Sequence, residues 1–337
     1  MKGFSVIIVT WNGLEHLKTF LPSVCATEYQ DFEIILADNA STDGTVEWVS
    51  QEFPEVIIST FDDNYGYCGG NNRAVKMASK EIFLFLNNDV KVESNWLHGI
   101  NKCFESDENT GAVQPKLRSF KEPELFEYAG ATGGFIDNYG YPFCRGRIFE
   151  TVEQDEGQYD QVSEVFWASG AALAIKKDIF VELDGFDEDF EFHMEEIDLC
   201  WRTKRLGYKI IYTPYSIVYH LGGGSLAMGS PRKVYYNFRN NLFMLWKNYS
   251  TSELLFRFPI RLILDIIAAY KSLFSGKPAE FGAIAKAHLH FFFGWIKVHQ
   301  KRRSIVSPAS KKLSGKLHLS IIWQYFVQGK NKFSDLM

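Results

Sequence analysis

The chain has 337 residues, 46% hydrophobic and 23% charged, a globular composition long enough for one large domain or two ordinary ones. Its five cysteines (25, 68, 103, 144 and 200) show no metal-ligand spacing, which argues against a zinc module or disulfide scaffold and for a reduced, cytoplasmic protein. The net charge of -5 hides an asymmetry: residues 1–250 hold 22 basic and 37 acidic residues, and residues 251–337 hold 14 basic and 4 acidic. The acidic main body and the lack of a Lys/Arg–aromatic repeat exclude a nucleic-acid partner for the basic tail.

Taken in chain order, Phe4–Val9 reads as a core strand with no signal peptide before it, and Leu14, Leu17, Leu21 and Val24 give a helix. Glu33–Ala37 is a second strand, followed by a helix from about Thr45 with Asp43 or Thr42 available as its cap. Val56–Ser59 is a third strand, Ala74–Ser79 is helical, and Ile82–Leu86 is an apolar run typical of a buried parallel strand. Strands alternating with helices predict a doubly wound, mostly parallel α/β sheet, with every polar strand end on one edge.

Ligands of open α/β sheets bind at that edge. Asp38 can accept an N–H from a pyrimidine ring there, with Thr10 and Asn12 near the base and ribose, while Gly69-Gly70 reads as an amide-bearing turn that feeds a helix and suits a phosphate. Asn87, Asn88 and Asp89 just past the Ile82–Leu86 strand suit a hard divalent cation holding a diphosphate. Asp43 is open to two readings, helix cap or donor contact.

Four stretches, Val9-Thr10-Trp11-Asn12-Gly13, Asp38–Thr45, Asn64–Asn72 and Leu86–Val90, resemble the donor half of family-2 inverting glycosyltransferases, nearest the rhamnosyltransferase-like members that build bacterial surface polysaccharides. The resemblance implies the GT-A fold, with residues 1–108 as a nucleotide-sugar-binding half and 109–249 as the acceptor-binding, catalytic half. It implies donor contacts from Thr10, Asn12, Asp38, Asn39, Asp43, Asn64, Gly66, Gly70, Asn71, Asn87 and Asn88, and Mg²⁺ or Mn²⁺ on Asp89. The usual Asp-x-Asp signature has Asn87 at its first position here, which implies a weaker, more exchangeable metal site.

Residues 109–165, with glycines 130, 133, 134, 140 and 146 among aromatics, suggest irregular hairpins or a mobile flap, and acidic 150–164 suggests an exposed loop. Small residues follow Trp167, so Trp167, Gly170 and Ala171, with His193, are candidate acceptor contacts. The block 185–202 resembles the family's acceptor motif, whose Glu-Asp pair carries the general base. Here the pair is Glu195-Glu196, so the aligned base is Glu196, and Glu195 stays open as an alternative. Asp198 can simply pair with Arg202 four residues on. His220 opens the run Gly222-Gly223-Gly224, and the resemblance gives it a metal-ligand role on a loop that closes over the product. Arg239 is a candidate phosphate contact.

From Leu254 to Phe274 the chain is very apolar, but Arg257, Arg261 and Asp265 recur every four residues and Pro259 intervenes, against a transmembrane span. With the aromatic stretch 281–298 and the basic clusters Lys301-Arg302-Arg303 and Lys311-Lys312, region 250–337 reads as helices lying peripherally on the inner membrane face, or as a homodimer contact. Together these features point to transfer of a sugar from dTDP-rhamnose or a UDP-sugar to a lipid-linked or oligosaccharide acceptor. A sugar nucleotidyltransferase and an inactive, membrane-bound sugar-nucleotide scaffold are the alternatives. The first usually needs a Gly-rich basic loop after strand one, which Val9–Lys18 lacks.

Overall fold

A computed structural model describes residues 1–222, 229–304 and 313–336. The strands are β1 (Phe4–Thr10), β2 (Phe32–Asp38), β3 (Ile57–Thr60), β4 (Ile82–Leu86), β5 (Val90–Val92), β6 (Thr110–Ser119), β7 (Gly134–Ile136), β8 (Pro142–Cys144), β9 (Arg147–Ile148), β10 (Thr151–Val152), β11 (Ser163–Val165), β12 (Ala172–Lys176) and β13 (Lys209–His220). The helices are α1 (Leu14–Cys25), α2 (Thr45–Glu52), α3 (Gly66–Ala74), α4 (Trp96–Ser106), α5 (Lys177–Glu182), α6 (Glu195–Arg205), α7 (Pro231–Asn248), α8 (Thr251–Phe256), α9 (Phe258–Phe274), α10 (Pro278–Ser304) and α11 (Ile321–Phe326).

The main sheet runs β11-β13-β6-β12-β4-β1-β2-β3, with β5 added on β13. β1, β2, β3 and β4 are mutually parallel where they pair, and β12 is antiparallel to both β4 and β6. Successive side chains of a strand point to opposite faces. Ile7, Ile35, Phe83 and Phe85 therefore enter the core under α3, α5 and α6, while Val6, Ile8, Leu36, Leu84 and Leu86 enter the core under α1, α2 and α4. Both faces are covered, which is why β4 is apolar throughout. From β1 the chain runs outward to β2 and β3, then returns to lay β4 on the other side of β1. That reversal of strand order opens a crevice at the carboxyl edge. Register puts Thr10 beside Asp38 and Asp38 beside Thr60, so the polar strand ends line up.

Three sequence expectations change. The predicted helix at 74–79 is instead α3, which starts at Gly66 and ends in a short 3-10 turn over Val75–Met77. Gly69 and Gly70 are thus helical rather than a turn. A Cβ on Gly70 would stand 2.8 Å from Val9 Cγ1, so this glycine lets the helix approach the sheet. The acidic segment 150–164 is not simply an exposed loop: the side chain of Asp155 is buried, 2.8 Å from Lys116 Nζ and 2.7 Å from Arg118 Nε, and Glu153 is buried. The region 134–152 forms a four-stranded antiparallel sheet, β10-β9-β8-β7.

Pro259 does not break the apolar stretch but sits in the first turn of α9, where its missing N–H costs nothing. Arg261 and Asp265, on the charged stripe, face inward. Arg261 Nε lies 2.8 Å from Asp265 Oδ1, and Tyr141 donates to the same carboxylate at 2.9 Å. The opposite, apolar face carries the exposed Ile263, Ile267, Tyr270 and Phe274. Among the described residues no helix is long and apolar enough to cross a membrane.

Candidate active site

The donor edge begins with the ends of β1 and β2. Asn12, in the left-handed region (φ 48°), accepts the Thr42 N–H at 2.8 Å, and its own N–H donates to Ser41 Oγ at 2.8 Å. The two loops are therefore locked together. Thr10 is buried and takes Asn88 Nδ2 at 3.0 Å, joining the end of β1 to the loop after β4. Asp38 is 2% exposed; its Oδ2 accepts the Ser41 N–H at 3.0 Å, while Oδ1 is buried with no partner. A buried acceptor without a donor is expensive, so such an atom at a crevice is a candidate ligand contact. Asn39 Oδ1 and Asn71 Oδ1 are unpartnered in the same way.

Asp43 has a different task. Its carboxylate takes the Leu14 N–H at 3.0 Å and the Thr45 hydroxyl at 2.6 Å, which anchors the start of α1 and of α2 and, against the effect of burial, holds its pKa low. The expected cap is corrected, since Gly44 and neither Asp43 nor Thr42 is the N-cap residue of α2, and Asp43 instead ties the starts of the two helices together from just before it. Asn64 accepts the Gly66 N–H at 2.9 Å and Gly66 O accepts Asn39 Nδ2 at 3.1 Å, so both shape the entry to α3. The neighbouring Asn72 was not expected. Its amide exchanges two hydrogen bonds with the Phe186 backbone, at 2.8 and 2.9 Å, tying α3 to the acceptor block.

β13 ends by pairing His220 with Val90, and this register brings the histidine beside Asp89. His220 Nε2 lies 3.1 Å from Asp89 Oδ1 and 3.3 Å from Asn87 Nδ2. Its other nitrogen, Nδ1, lies 3.1 Å from Glu127 Oε1, off the line of a hydrogen bond. Burial alone would lower the imidazole pKa, but the charge of Glu127 and the adjoining Asp89 carboxylate push it up to about 10, so a cation on Nε2 has to displace a proton. Burial raises the Asp89 carboxyl and the histidine outweighs it, so Asp89 is held low. Asp89 and His220 could together hold a hard divalent cation. No group of three or more His, Cys, Asp or Glu that could hold a metal ion occurs among the described residues. Glu127 lay outside the sequence reading. It comes from the irregular segment after β6, and no motif flags it. The hinge expected at Gly223 and Gly224 lies outside the described residues.

The expected acceptor residues centre on α6. Glu195 and Glu196 are its first two residues, and Oε2 of each is buried without a hydrogen-bond partner. Burial pushes the Glu196 carboxyl up to about 7, with backbone amides at the helix start pulling it down. Burial and the Glu196 charge push Glu195 well above the carboxylate range. A carboxylate poised near neutrality is what a general base needs. Asp198 instead is structural, 2.8 Å from Arg202 Nε, 3.0 Å from Lys247 Nζ and 2.7 Å from Asn248 Nδ2.

Gly170 lies against Glu196: a Cβ there would stand 3.7 Å from that of the glutamate, and Gly170 O accepts the Tyr67 hydroxyl at 2.9 Å. Ala171 O accepts the Asn87 N–H at 3.0 Å, so residues 170–171 join the two glutamates to the metal-side loop. His193 is kept neutral, its pKa pushed down to about 4 by burial and Lys233. Trp167 is not an acceptor surface. It is 3% exposed, its N–H donates to Phe135 O at 3.0 Å, and its ring packs directly on Gly134. Arg239 does not point at phosphates either; it bonds Asp189 O at 2.8 Å and Asn240 Oδ1 at 2.8 Å.

The architecture, a largely parallel sheet with polar strand ends along its carboxyl edge, is that of GT-A glycosyltransferases. The sequence profile of glycosyl transferase family 2 matches residues 5–178, and the chain belongs to that family. It is 29% identical over 243 residues to the O-antigen biosynthesis protein RfbC of Myxococcus xanthus, covering 69% of this chain and 18% of that protein. It is 27% identical over 233 residues to the N-acetylglucosaminyl-diphospho-decaprenol L-rhamnosyltransferase of Mycobacterium tuberculosis, covering 64% of this chain and 75% of the relative. The structure is also similar to that of GalNAc-T7 with UDP, GalNAc and Mn²⁺, with a TM-score of 0.57 and 17% identity over 73% of this chain and 48% of that one.

Proposed function

We propose that this glycosyltransferase acts in cell-surface glycan synthesis, moving a sugar with inversion from a pyrimidine nucleoside diphosphate, dTDP-rhamnose or a UDP-sugar, to a hydroxyl of a lipid-linked or oligosaccharide acceptor. The observation that carries the reading is the pair Glu195–Glu196, whose Oε2 atoms are buried without a hydrogen-bond partner among the described residues, with Gly170 against Glu196 and Ala171 bonded to Asn87 beside His220. Asp38 accepts the N–H of the base, with Thr10, Asn12, Asn39, Gly70, Asn71 and Asn88 around the nucleoside. Asp89 and His220 would hold Mg²⁺ or Mn²⁺, which supplies positive charge to the departing diphosphate when bound. Glu196 removes the proton from the attacking acceptor hydroxyl, and Gly170, Ala171 and His193 flank that position. Residues 1–108 serve the donor and 109–249 the acceptor. The acceptor's chemistry is supported by the relatives' names.

The exposed apolar faces of α9 and α10 support peripheral docking on the inner membrane face. Phe274 and Phe293 are each 84% exposed, in company with Ile263, Ile267, Leu289 and Ile296. The basic tail contributes less than its composition implies. Lys301 pairs with Asp187 and Asp189, and Arg302 donates to Trp246 O at 3.0 Å. Lys311 and Lys312 lie outside the described residues. Docking therefore rests chiefly on apolar insertion.

The test is Glu196→Gln. It should abolish turnover of donor in the presence of acceptor while nucleotide binding stays within about twofold; undiminished turnover would refute the assignment. Phe274→Asp with Phe293→Asp should release the protein from anionic vesicles, and unchanged sedimentation would refute docking by this face.

A further inference from the structure

The chain enters α6 through an unusual backbone. Glu191 (φ 36°), His193 (φ 65°) and Met194 (φ 75°) all lie in the left-handed region, and no glycine occurs between Phe186 and Met194. Residues with a Cβ avoid that region unless their surroundings hold them in it. What holds them here is one face of α7.

Asn240 is fully buried, and its Nδ2 lies 3.0 Å from Phe190 O, 2.6 Å from Phe192 O and 3.0 Å from His193 O. Its Oδ1 accepts Arg239 Nε at 2.8 Å, which fixes the amide with its donors toward the loop. Arg239 Nη2 donates to Asp189 O at 2.8 Å, and Nη1 lies 3.3 Å from Glu191 Oε1. The Tyr236 hydroxyl donates to Glu191 Oε2 at 2.5 Å. Tyr236, Arg239 and Asn240 are spaced i, i+3 and i+4, the spacing that puts three side chains on one side of a helix. Four of the loop's carbonyls and the Glu191 carboxylate are thus taken by three residues on one face of α7.

We propose that Tyr236, Arg239 and Asn240 are positioning residues that clamp the 189–194 loop and thereby aim the Glu196 carboxylate at the acceptor. The inference rests on the reading of Glu196 as base. Without the clamp the left-handed residues relax, and the first turn of α6, which carries both glutamates, moves with them. A displacement of about 1 Å at a reacting group costs about 100-fold in rate.

The experiment compares Glu196→Gln with Asn240→Ala, Tyr236→Phe and Arg239→Lys in the full chain, the last three both alone and combined with Glu196→Gln. Turnover of dTDP-L-rhamnose or UDP-N-acetylglucosamine is measured beside calorimetric binding of the matching nucleoside diphosphate with Mn²⁺, and melting is followed at pH 8. The clamp predicts a turnover loss of about 10- to 100-fold in Asn240→Ala and at least about threefold in Tyr236→Phe, with nucleotide affinity within about twofold of wild type. It also predicts that the melting gain of Glu196→Gln at pH 8 shrinks when Asn240 or Tyr236 is altered, because the carboxylate is no longer held in its buried place. Wild-type turnover in Tyr236→Phe and Arg239→Lys, or fully additive melting shifts, would overturn the clamp. Retained turnover in Glu196→Gln would overturn the base assignment instead. If Asn240→Ala does not fold, Tyr236→Phe and Arg239→Lys decide the matter.

Discussion

Glu127 Oε1 stands 3.1 Å from His220 Nδ1, on the far side of the ring from the 3.1 Å contact between His220 Nε2 and Asp89 Oδ1. Glu127 is itself fixed, since its Oε2 accepts the Ala129 N–H at 2.6 Å. A carboxylate behind a histidine ligand sets which nitrogen faces the metal and how the ring is turned. Glu127→Gln should therefore weaken Mn²⁺-dependent binding of UDP or dTDP by about 10- to 100-fold. Calorimetry with and without Mn²⁺ checks this, and the metal-free affinity should not move.

The pH dependence of turnover follows from Glu196. Burial pushes its carboxyl up to about 7, so below that pH the base is protonated and cannot take the acceptor's proton. Turnover at saturating substrate should rise through about pH 7 and level off above it. The stability sign is opposite. A folded-state pKa raised above the unfolded value means the native state is favoured most at low pH and loses that advantage as pH climbs toward 7. Glu196→Gln should raise the melting temperature at pH 8, by about 2 °C or more, and change it little at pH 4.

Lys247 is the hinge of a buried ion cluster. Its Nζ lies 2.6 Å from Asp187 Oδ2 and 3.0 Å from Asp198 Oδ2, and it is 3% exposed. Removing one partner of a buried pair leaves the other charge without compensation. Lys247→Met should cost about 3–5 kcal/mol in denaturant unfolding, more than Lys18→Met at the exposed Lys18–Glu15 pair, which should cost under about 1 kcal/mol.

Gly70→Ala tests the close approach of α3 to the sheet. The new methyl would stand 2.8 Å from Val9 Cγ1 and 3.1 Å from Asn39 Nδ2. Relief requires α3 to back away from β1 and β2, disturbing Asn39 and Asn71 together. Overpacking of this kind costs about 1–3 kcal/mol, and nucleotide affinity should fall as well. A Tm loss with unchanged affinity would mean Gly70 serves packing alone.

The polar edge of the sheet was legible because an apolar run such as Ile82–Leu86 must be a buried strand, and polar residues just beyond it must line the edge. The glycines of α3 misled because glycine in a helix and glycine in a turn look alike until the sheet beneath is known. Trp167 misled because small neighbours permit packing against Gly134 as readily as contact with a sugar. Glu127 and Asn240 left no signal, since each acts across the chain on a partner that no local spacing reveals. Of the stripe Arg257, Arg261 and Asp265, the last two lie on one stripe of α9, while Arg257 sits at the break between α8 and α9 and pairs with Glu253. That Arg261 and Asp265 face inward, leaving Ile263 and Phe274 in contact with solvent, depends on Tyr141 and Asn241, far away in sequence.

The most direct measurement is calorimetric titration of UDP and of dTDP into the wild-type chain and Asp89→Ala, each with Mn²⁺ and with EDTA. Binding of one nucleotide that strengthens at least about tenfold with Mn²⁺ in the wild type, and loses that gain in Asp89→Ala, is the predicted result. Binding of neither nucleotide, or an Mn²⁺ effect that survives Asp89→Ala, would contradict the proposed donor and metal site.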